Sequence, residues 1–573
     1  MAKSPDPPAL GVAPTRDGLL AATFSLTGCA LAVVFIFVSP EGLHHFDDIT
    51  HYLFARWAWT WPEYLVDHWG RPGFTIPYFP AAALGWTACK LLSALVSALT
   101  GWCAFRLAQH AGLARAWLVI PLIWLQPLFF HLAQTTLTET PLALYLSLAL
   151  LLAVRGRWTW SSAVISAAFV TRHEAILFLP IWICFAWRTG VSWRRLWPIL
   201  WAPIAVNAAS IMLGMPTTIE LYLTPKPSNQ YGSDGWLTFF ARGLHAWGPS
   251  VAVLAWVGLL RTASADFERI SRRTSLFAEG ETDAPTSSAS HSSSEAPKQI
   301  GRAETMRFIA TCAIAYFAAQ SVIRALGLFN SGGYARFLVP ISPFMAAFAL
   351  SAWNWLTDAN PIERRRATAA VAVVFAFHWL SLEWQLRHHA GIDIEFPMLH
   401  EALVALRVMT GGIILLAAIA IARPRPTWSR CLVPAAMGLV AALTAYVFVR
   451  PLAPPPEAPM ITDMRNTLIA RGLADRPIIS AVTWVDYATN TSLPYRRRTT
   501  RERIDAAPAG VLVVWEEQFA GSPDHGISLE SLREDSRFRL IYSSAAKPFR
   551  TEPYLFVFEK VADPSLKTTH PTP

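Results

Sequence analysis

Charge is what this chain has least of. Only 15% of its 573 residues are Asp, Glu, Lys or Arg, against about 25% in an ordinary soluble domain, so a soluble globular protein is excluded. Cysteine is sparse too. The six present (Cys29, Cys89, Cys103, Cys184, Cys312 and Cys431) all fall in or beside apolar runs and imply no disulfide framework. The 30 glycines follow no period, which excludes a collagen-like chain. No internal repeat stands out, and no small-residue cleavage site follows the first apolar run, so a cleaved signal is not expected. What is abundant is apolar: 53% of residues are hydrophobic, with 25 Trp and 32 Phe. That excludes disorder and leaves a polytopic membrane protein.

A spanning helix needs roughly 17–25 mostly apolar residues. Thirteen runs meet or approach that length, near 18–39, 83–107, 116–133, 140–154, 160–171, 174–188, 195–214, 246–261, 306–326, 337–357, 367–384, 402–422 and 431–449. The fourth to sixth are short. Basic residues give the runs a direction. With the N-terminus in the cytoplasm, the inner side holds Lys3, Arg16, Arg106, Arg115, Arg155, Arg157, Arg188, Arg194 and Arg195. It also holds the basic residues from Arg261 to Arg307, the triplet Arg364 to Arg366, and Arg423, Arg425 and Arg430. These are 22 of the 33 Lys and Arg residues before position 451, the kind of bias that sets orientation. The net charge of +9 is therefore an orientation signal and not a nucleic-acid footprint. The expectation is a multi-pass protein of the cytoplasmic (plasma) membrane, N-terminus inside and C-terminus outside.

Two stretches break the apolar pattern. Residues 262–305 contain PTSSASHSSSEAP, which reads as a flexible cytoplasmic linker. After the hinge PLAPPPEAP at 451–459, the last 123 residues carry 15 basic and 15 acidic side chains. The pattern there predicts a helix over 460–471 and strands over Pro477–Val482, Gly510–Trp515, Phe538–Tyr542 and Tyr554–Phe558. Residues 451–573 are thus expected to form a small extracytoplasmic α/β domain.

Ionisable groups beside a bilayer are costly and mark function. The first outer loop, 41–74, is the richest in them. Asp47 and Asp48 follow the first span and precede Trp57, Trp59 and Trp61, a stretch suited to lying along the interface as an amphipathic helix. Two adjacent carboxylates could serve as a general base or as hard ligands for a divalent cation, Mg or Mn; they could equally cap a helix. His51 and Arg71 share the loop. The motif QTTLTETP (134–141) sets Glu139 between apolar runs, where Thr138 or Glu139 before Pro141 also fits a helix start. TRHE (171–174) packs Arg172, His173 and Glu174 into a very short hairpin, where snorkelling turn residues would look the same. Lys90 lies near the outer end of the second span, where a lone ammonium needs a partner or a phosphate. Arg324 and Arg336 accompany FNSGGYARF with its Tyr334, and Tyr231 and Asp234 belong to KPSNQYGSDGW. The span centres are nearly bare of charge, so catalysis at the outer interface fits better than passage through the bilayer.

These loops resemble a family. An acidic pair opening the first outer loop (FDDITHY), a second loop with Thr-Glu (TLTETP), a third reading TRHEAILFLP and a late YARFLVPISPF are similar to the GT-C class. Members of that class are integral-membrane glycosyltransferases using polyprenyl-phosphate sugars, and include lipid A aminoarabinose transferases and protein O-mannosyltransferases. The resemblance covers about residues 18–450 and is best over 18–190. It implies a polytopic α-helical membrane protein, GT-C-like, with about 13 transmembrane helices plus the small C-terminal domain. It also implies transfer of a sugar from a polyprenyl-phosphate donor to a hydroxyl of a glycan, lipid or protein, with inversion.

In the roles this resemblance implies, Asp47 is the general base with Asp48 as the alternative. Glu139 shapes the donor or metal site, Lys90 faces the lipid phosphate, and Arg172 and Glu174 match the third-loop motif. Arg71, Arg172 and Arg336 join Lys90 as candidate donor-phosphate contacts. His51, His173, Glu174, Tyr231 and Tyr334 are candidate substrate contacts, and Asp47, Asp48 and Glu139 would ligate any divalent cation. The acidic pair is followed by Ile-Thr-His where the aminoarabinose branch commonly has Arg-Tyr, so the sugar is not carried over from that branch. Alternatives from other classes are a carrier or flippase for lipid-linked glycans, a ligase acting on them, or a membrane anchor for an outer binding domain.

Overall fold

The computed structural model describes residues 15–223, 232–278, 300–388, 399–422, 426–494, 499–517, 519–521, 525–545 and 553–562. In chain order the helices are α1 (Arg16–Val38), α2 (Phe46–Trp57), α3 (Pro72–Ala82), α4 (Trp86–His110), α5 (Val119–Trp124), α6 (Pro127–Leu132), α7 (Glu139–Val154) and α8 (Trp158–Thr171). There follow α9 (Phe178–Arg188), α10 (Trp201–Met212), α11 (Thr218–Leu223), α12 (Thr238–Trp247), α13 (Pro249–Ala278), α14 (Arg302–Ala325), α15 (Ser342–Asp358), α16 (Pro361–His388), α17 (Leu399–Ala422) and α18 (Pro426–Phe448). Contacts divide the chain into two units. One comprises Met1–Val38, Lys90–Met212 and Pro216–Pro451; the other comprises Ser39–Cys89, Leu213–Met215 and Leu452–Pro573.

The first unit is the apolar body. Among the described residues, six of its helical stretches are long and apolar enough to cross a membrane: α1, α4, α14, Ala335–Asp358, Pro361–Trp384 and Cys431–Phe448. A seventh is the pair α12 and α13, bent by 119° at its break. The thirteen apolar runs therefore do not all become full-length spans. The run at 116–133 splits into α5 and α6 because Gln126 is extended (ψ 120) and Pro127 brings no N–H to the preceding turn. Helices α7, α8 and α9 have only 16, 14 and 11 residues. Helix α13 also runs into the expected linker as far as Ala278, through a stretch that holds three Ala and three Arg, both helix-favouring, and no Gly or Pro.

Lipid-like solvent is written on the outside of this unit. Helix α1 leaves Leu19, Leu26, Val34, Phe37 and Val38 exposed, while 89% of the best apolar window in Ala335–Asp358 is buried. The latter is the central element. Helices α13 and α15 pack closely because position 258 is glycine: a Cβ there would run into the Phe348 carbonyl. Gly248 makes the α12–α13 bend possible, since it sits at φ 73, a conformation that L side chains rarely adopt.

The second unit joins distant stretches of chain. Its C-terminal part begins with α19 (Ala458–Ala470) and carries a four-stranded mixed sheet. The strands β1 (Ile478–Ser480), β2 (Leu512–Glu516), β3 (Phe538–Ser543) and β4 (Leu555–Lys560) lie in the order β1-β2-β4-β3. All four fall within or overlap the predicted stretches. β1 runs parallel to β2, and β4 is antiparallel to both β2 and β3. Every residue of β2 and β4 is buried, as expected of strands covered on both faces. The covers include α21 (Thr500–Ala506), which starts with a Thr499–Glu502 capping box, and α22 (Leu529–Glu534).

The first outer loop is sewn into this domain through α20 (Thr483–Ala488) and the residues after it. The Thr50 hydroxyl donates to Thr483 Oγ1 at 3.0 Å, and Trp57 Nε1 donates to the Thr491 carbonyl at 2.9 Å. Arg56 donates to Asn490 Oδ1 at 2.5 Å and the Tyr64 hydroxyl to the Leu493 carbonyl at 3.1 Å. Tyr52 and Tyr487 meet edge to face at 6.2 Å. Helix α2 is consequently buried on most sides, where the sequence had pointed to an amphipathic helix lying along the interface. The tryptophans divide: Trp57 is buried and Trp59 exposed.

Two outcomes follow from this packing. Gly258→Val should drive α13 off α15, a cost of about 1–3 kcal/mol for an overpacked core, read as a lowered thermal midpoint in detergent. Gly438→Ala, on α18 with nothing within 4 Å of its added Cβ, should leave the midpoint unchanged. In the second unit, burial pushes the Asp486 carboxyl up from 3.8 to about 8, against a partial lowering by the Arg503 charge. Between those values the unfolded chain is ionised and the folded one protonated, so this group's contribution to stability falls as pH rises. The wild-type midpoint minus that of Asp486→Asn should therefore decrease from about pH 5 to about pH 9; a flat difference would show that Asp486 ionises normally.

Candidate functional site

In the apolar body the second- and third-loop motifs converge. Glu139 opens α7 and is 1% exposed. Its Oε1 accepts from Arg172 Nη1 at 2.6 Å and lies 3.5 Å from Arg336 Nε. Arg172 follows the end of α8; its Nε donates to Glu174 Oε1 at 2.6 Å, and Gln320 Nε2 of α14 donates to the same oxygen at 3.0 Å. The rings complete the arrangement. The Arg172 guanidinium sits 4.4 Å from the Phe337 centroid, and that of Arg336 sits 4.9 Å from Tyr334, geometries in which cations and aromatic faces attract.

This network is two guanidinium groups against two carboxylates in a largely buried region. Burial works against the Arg172 charge, but Glu174 and Glu139 outweigh it and the guanidinium holds its proton more tightly than usual. Thr138 makes no side-chain cap on α7, so the helix-start reading does not account for the motif: Glu139 instead meets two arginines. Among the described residues no donor reaches Glu139 Oε2. The sequence pointed to Glu139, Arg172, Glu174, Arg336 and Tyr334, and the structure gathers them. It missed Gln320 and Phe337; the one available signal was an amide in an otherwise apolar stretch of α14.

Other candidates of this unit lie in different surroundings. Lys90, near the start of α4, is 1% exposed; a buried ammonium is rare unless paired. Arg324 and Asp234 approach each other at 3.5 Å. His173 begins the short 3-10 turn His173–Leu177. Tyr231 lies outside the described residues.

In the second unit, the acidic pair occupies the first turn of α2, where carboxylates complement the helix dipole. The two differ sharply. Asp48 is completely buried, whereas the Asp47 side chain is 28% exposed. His45 caps the helix: its Nδ1 accepts from the Asp47 backbone N–H at 3.2 Å and lies 3.2 Å from Asp47 Oδ2, an ion pair when the ring is protonated. His51 is buried against Trp69 and Phe74, with centroids 5.3 and 5.4 Å away. Arg71 caps α3 with its backbone in the left-handed region (φ 62). Among the described residues no three His, Cys, Asp or Glu side chains converge as a metal site requires.

Removing one partner from a buried ion pair costs about 3–5 kcal/mol, because the other charge is left uncompensated. Arg172→Met should thus lower the thermal midpoint in detergent markedly, and Arg172→Met combined with Glu139→Gln should recover part of the loss. Two equal losses would mean that Glu139 and Arg172 do not act as a pair.

No family model and no curated protein matches the sequence. Solved structures do match in fold. One is ArnT from Cupriavidus metallidurans bound to undecaprenyl phosphate, 14% identical, with a TM-score of 0.53 over 96% of this chain and 99% of that one. Another is ArnT from Cupriavidus metallidurans in the apo state, 14% identical, with a TM-score of 0.51 over 94% of this chain and 98% of that one. With its apolar helices and small C-terminal sheet, the chain is an integral membrane protein with an ArnT-like fold, the GT-C-like architecture that its loop motifs resemble.

Proposed function

We propose that this protein is a membrane glycosyltransferase that moves a sugar from a polyprenyl-phosphate donor to a hydroxyl of a glycan, lipid or protein acceptor at the outer face of the cytoplasmic membrane. The observation that carries the reading is the buried network of Glu139, Arg172, Glu174 and Arg336, since charge placed in an apolar body is costly and marks function. The fold supports it: a protein of the same architecture binds undecaprenyl phosphate. The basic inner loops favour the N-terminus inside and the C-terminal domain outside.

The reaction is a single displacement. A carboxylate takes the proton of the acceptor hydroxyl, the acceptor oxygen bonds to the sugar C1, and the C1–O bond to phosphate breaks. Its electron pair leaves with the polyprenyl phosphate, and the anomeric centre inverts. Asp47 suits the base because its side chain is reachable while that of Asp48 is fully buried; a positioned base contributes about 10²–10⁴-fold. The leaving phosphate is already anionic and needs positive charge, not a proton. Lys90 is assigned to the lipid phosphate, as the loop resemblance implies, with Arg71, Arg172 and Arg336 as further candidate phosphate contacts. His51, His173, Glu174, Tyr231 and Tyr334 are assigned to the substrate. The displacement does not demand a metal; a divalent cation, Mg or Mn, would share the charge stabilisation if bound.

Radiolabelled transfer from a panel of polyprenyl-phosphate sugars to membrane extracts tests this. Wild type should give a donor-dependent product. Asp47→Asn and Glu139→Gln should lower the rate by about 10²-fold or more while the protein still folds and binds donor lipid. No product from any donor would overturn the reading, and full activity in Asp47→Asn would remove the base from Asp47.

A further inference from the structure

The C-terminal domain holds a cavity that the proposed displacement does not use. It encloses about 480 Å³, within the roughly 300–1,000 Å³ usual for small-molecule sites. Its walls are the segment entering β1 with Ile478 and Ile479, the connection 489–494 after α20, and the end of α21 from Arg503. All of these belong to the second unit.

The chemistry of the walls is uneven. Among the described residues, two guanidinium groups line the cavity, Arg476 and Arg503, against a single carboxylate, that of Asp475, which is exposed. Arg476 is already committed to an ion pair with Glu559. Arg503 is half-buried, and among the described residues no carboxylate lies within ion-pair distance of its guanidinium. Asp486 is near enough to feel the Arg503 charge, yet at neutral pH its buried carboxyl is protonated and does not balance it. A half-buried cation in a concave site, left uncompensated, calls for an anion.

One wall is a run of four short polar side chains, Thr489, Asn490, Thr491 and Ser492. The Thr489 and Thr491 hydroxyls bond to each other at 2.8 Å, and Asn490 uses its Oδ1 to accept from Arg56. That leaves the Asn490 amide N–H₂ and the exposed Ser492 hydroxyl for a ligand. Pro477, Pro494 and Pro508 add rigid apolar faces. Hydroxyl and amide groups beside flat apolar surfaces suit a sugar ring, which presents hydroxyls at its rim and C–H groups on its faces.

We infer that this cavity binds a saccharide carrying a phosphate group, with the phosphate on Arg503 and the ring hydroxyls on the 489–492 wall. The site does not depend on the transferase reading. It does touch the catalytic helix of that reading, because the same connection holds Arg56, Trp57 and Tyr64 through Asn490, Thr491 and Leu493. Filling the cavity therefore steadies α2.

The test uses the full-length protein in detergent, titrated calorimetrically with glucose 6-phosphate and glucosamine 6-phosphate, and with glucose and inorganic phosphate as separate arms. Saturable binding of a sugar phosphate is expected, with glucose and inorganic phosphate each much weaker. Arg503→Gln should lose about tenfold or more in affinity, the worth of one charge-assisted hydrogen bond, and Ser492→Ala, an exposed change that spares the fold, should weaken binding less. Hydrogen exchange of α2 should slow when the ligand is bound. The titration contains no polyprenyl donor and no acceptor, so failure of the transferase reading and failure of this site are read separately. Absence of saturable sugar-phosphate binding, equal affinity in Arg503→Gln, or a match by glucose or inorganic phosphate alone would overturn the assignment.

Discussion

One guanidinium group, Arg172, sets the terms for the polar chemistry of the apolar body. It bridges Glu139 from the start of α7 and Glu174 from the following turn. Gln320 of α14 and Arg336 with Phe337 from the turn before α15 close around the same charges. A charge withdrawn from water costs several kcal/mol unless its partners arrive in good geometry. Four separate pieces of chain must therefore reach fixed positions together, or none is comfortable. The result is a network whose dipoles and charges are held in fixed orientation by the packing around them.

The acidic pair obeys a different logic. It lies in the unit formed by the first outer loop and the C-terminal domain. There the first turn of α2 and the His45 cap fix the two carboxylates, and three hydrogen bonds from α2 to α20 and its following residues fix α2 itself. The burial that separates Asp47 from Asp48 is a product of this second contact set.

Much of the fold was legible because its signals are local. Short apolar runs between turn residues gave the four strands to within a few positions, and uninterrupted hydrophobicity located the helices of the body. Helix length was less legible, since hydrophobicity runs straight through the breaks at Gln126–Pro127 and Gly248, which are set by backbone conformation. At the site, Glu139, Arg172 and Glu174 stood out as charges between apolar runs, where water cannot solvate them. Asp48 looked the twin of Asp47, and only tertiary burial distinguishes them. Asp486 was not singled out, because its burial depends on packing partners more than four hundred residues earlier in the chain.

The sewing of α2 into the C-terminal domain also sets an order of events during synthesis. Thr50 and Thr483 are separated by 433 residues, and chains are made at about 5–20 residues per second. Helix α2 therefore leaves the ribosome on the order of tens of seconds to a minute and a half before its partner exists. For that interval the body can assemble while the acidic pair stays unanchored. A part of the chain made more than four hundred residues later gives the first loop its final shape.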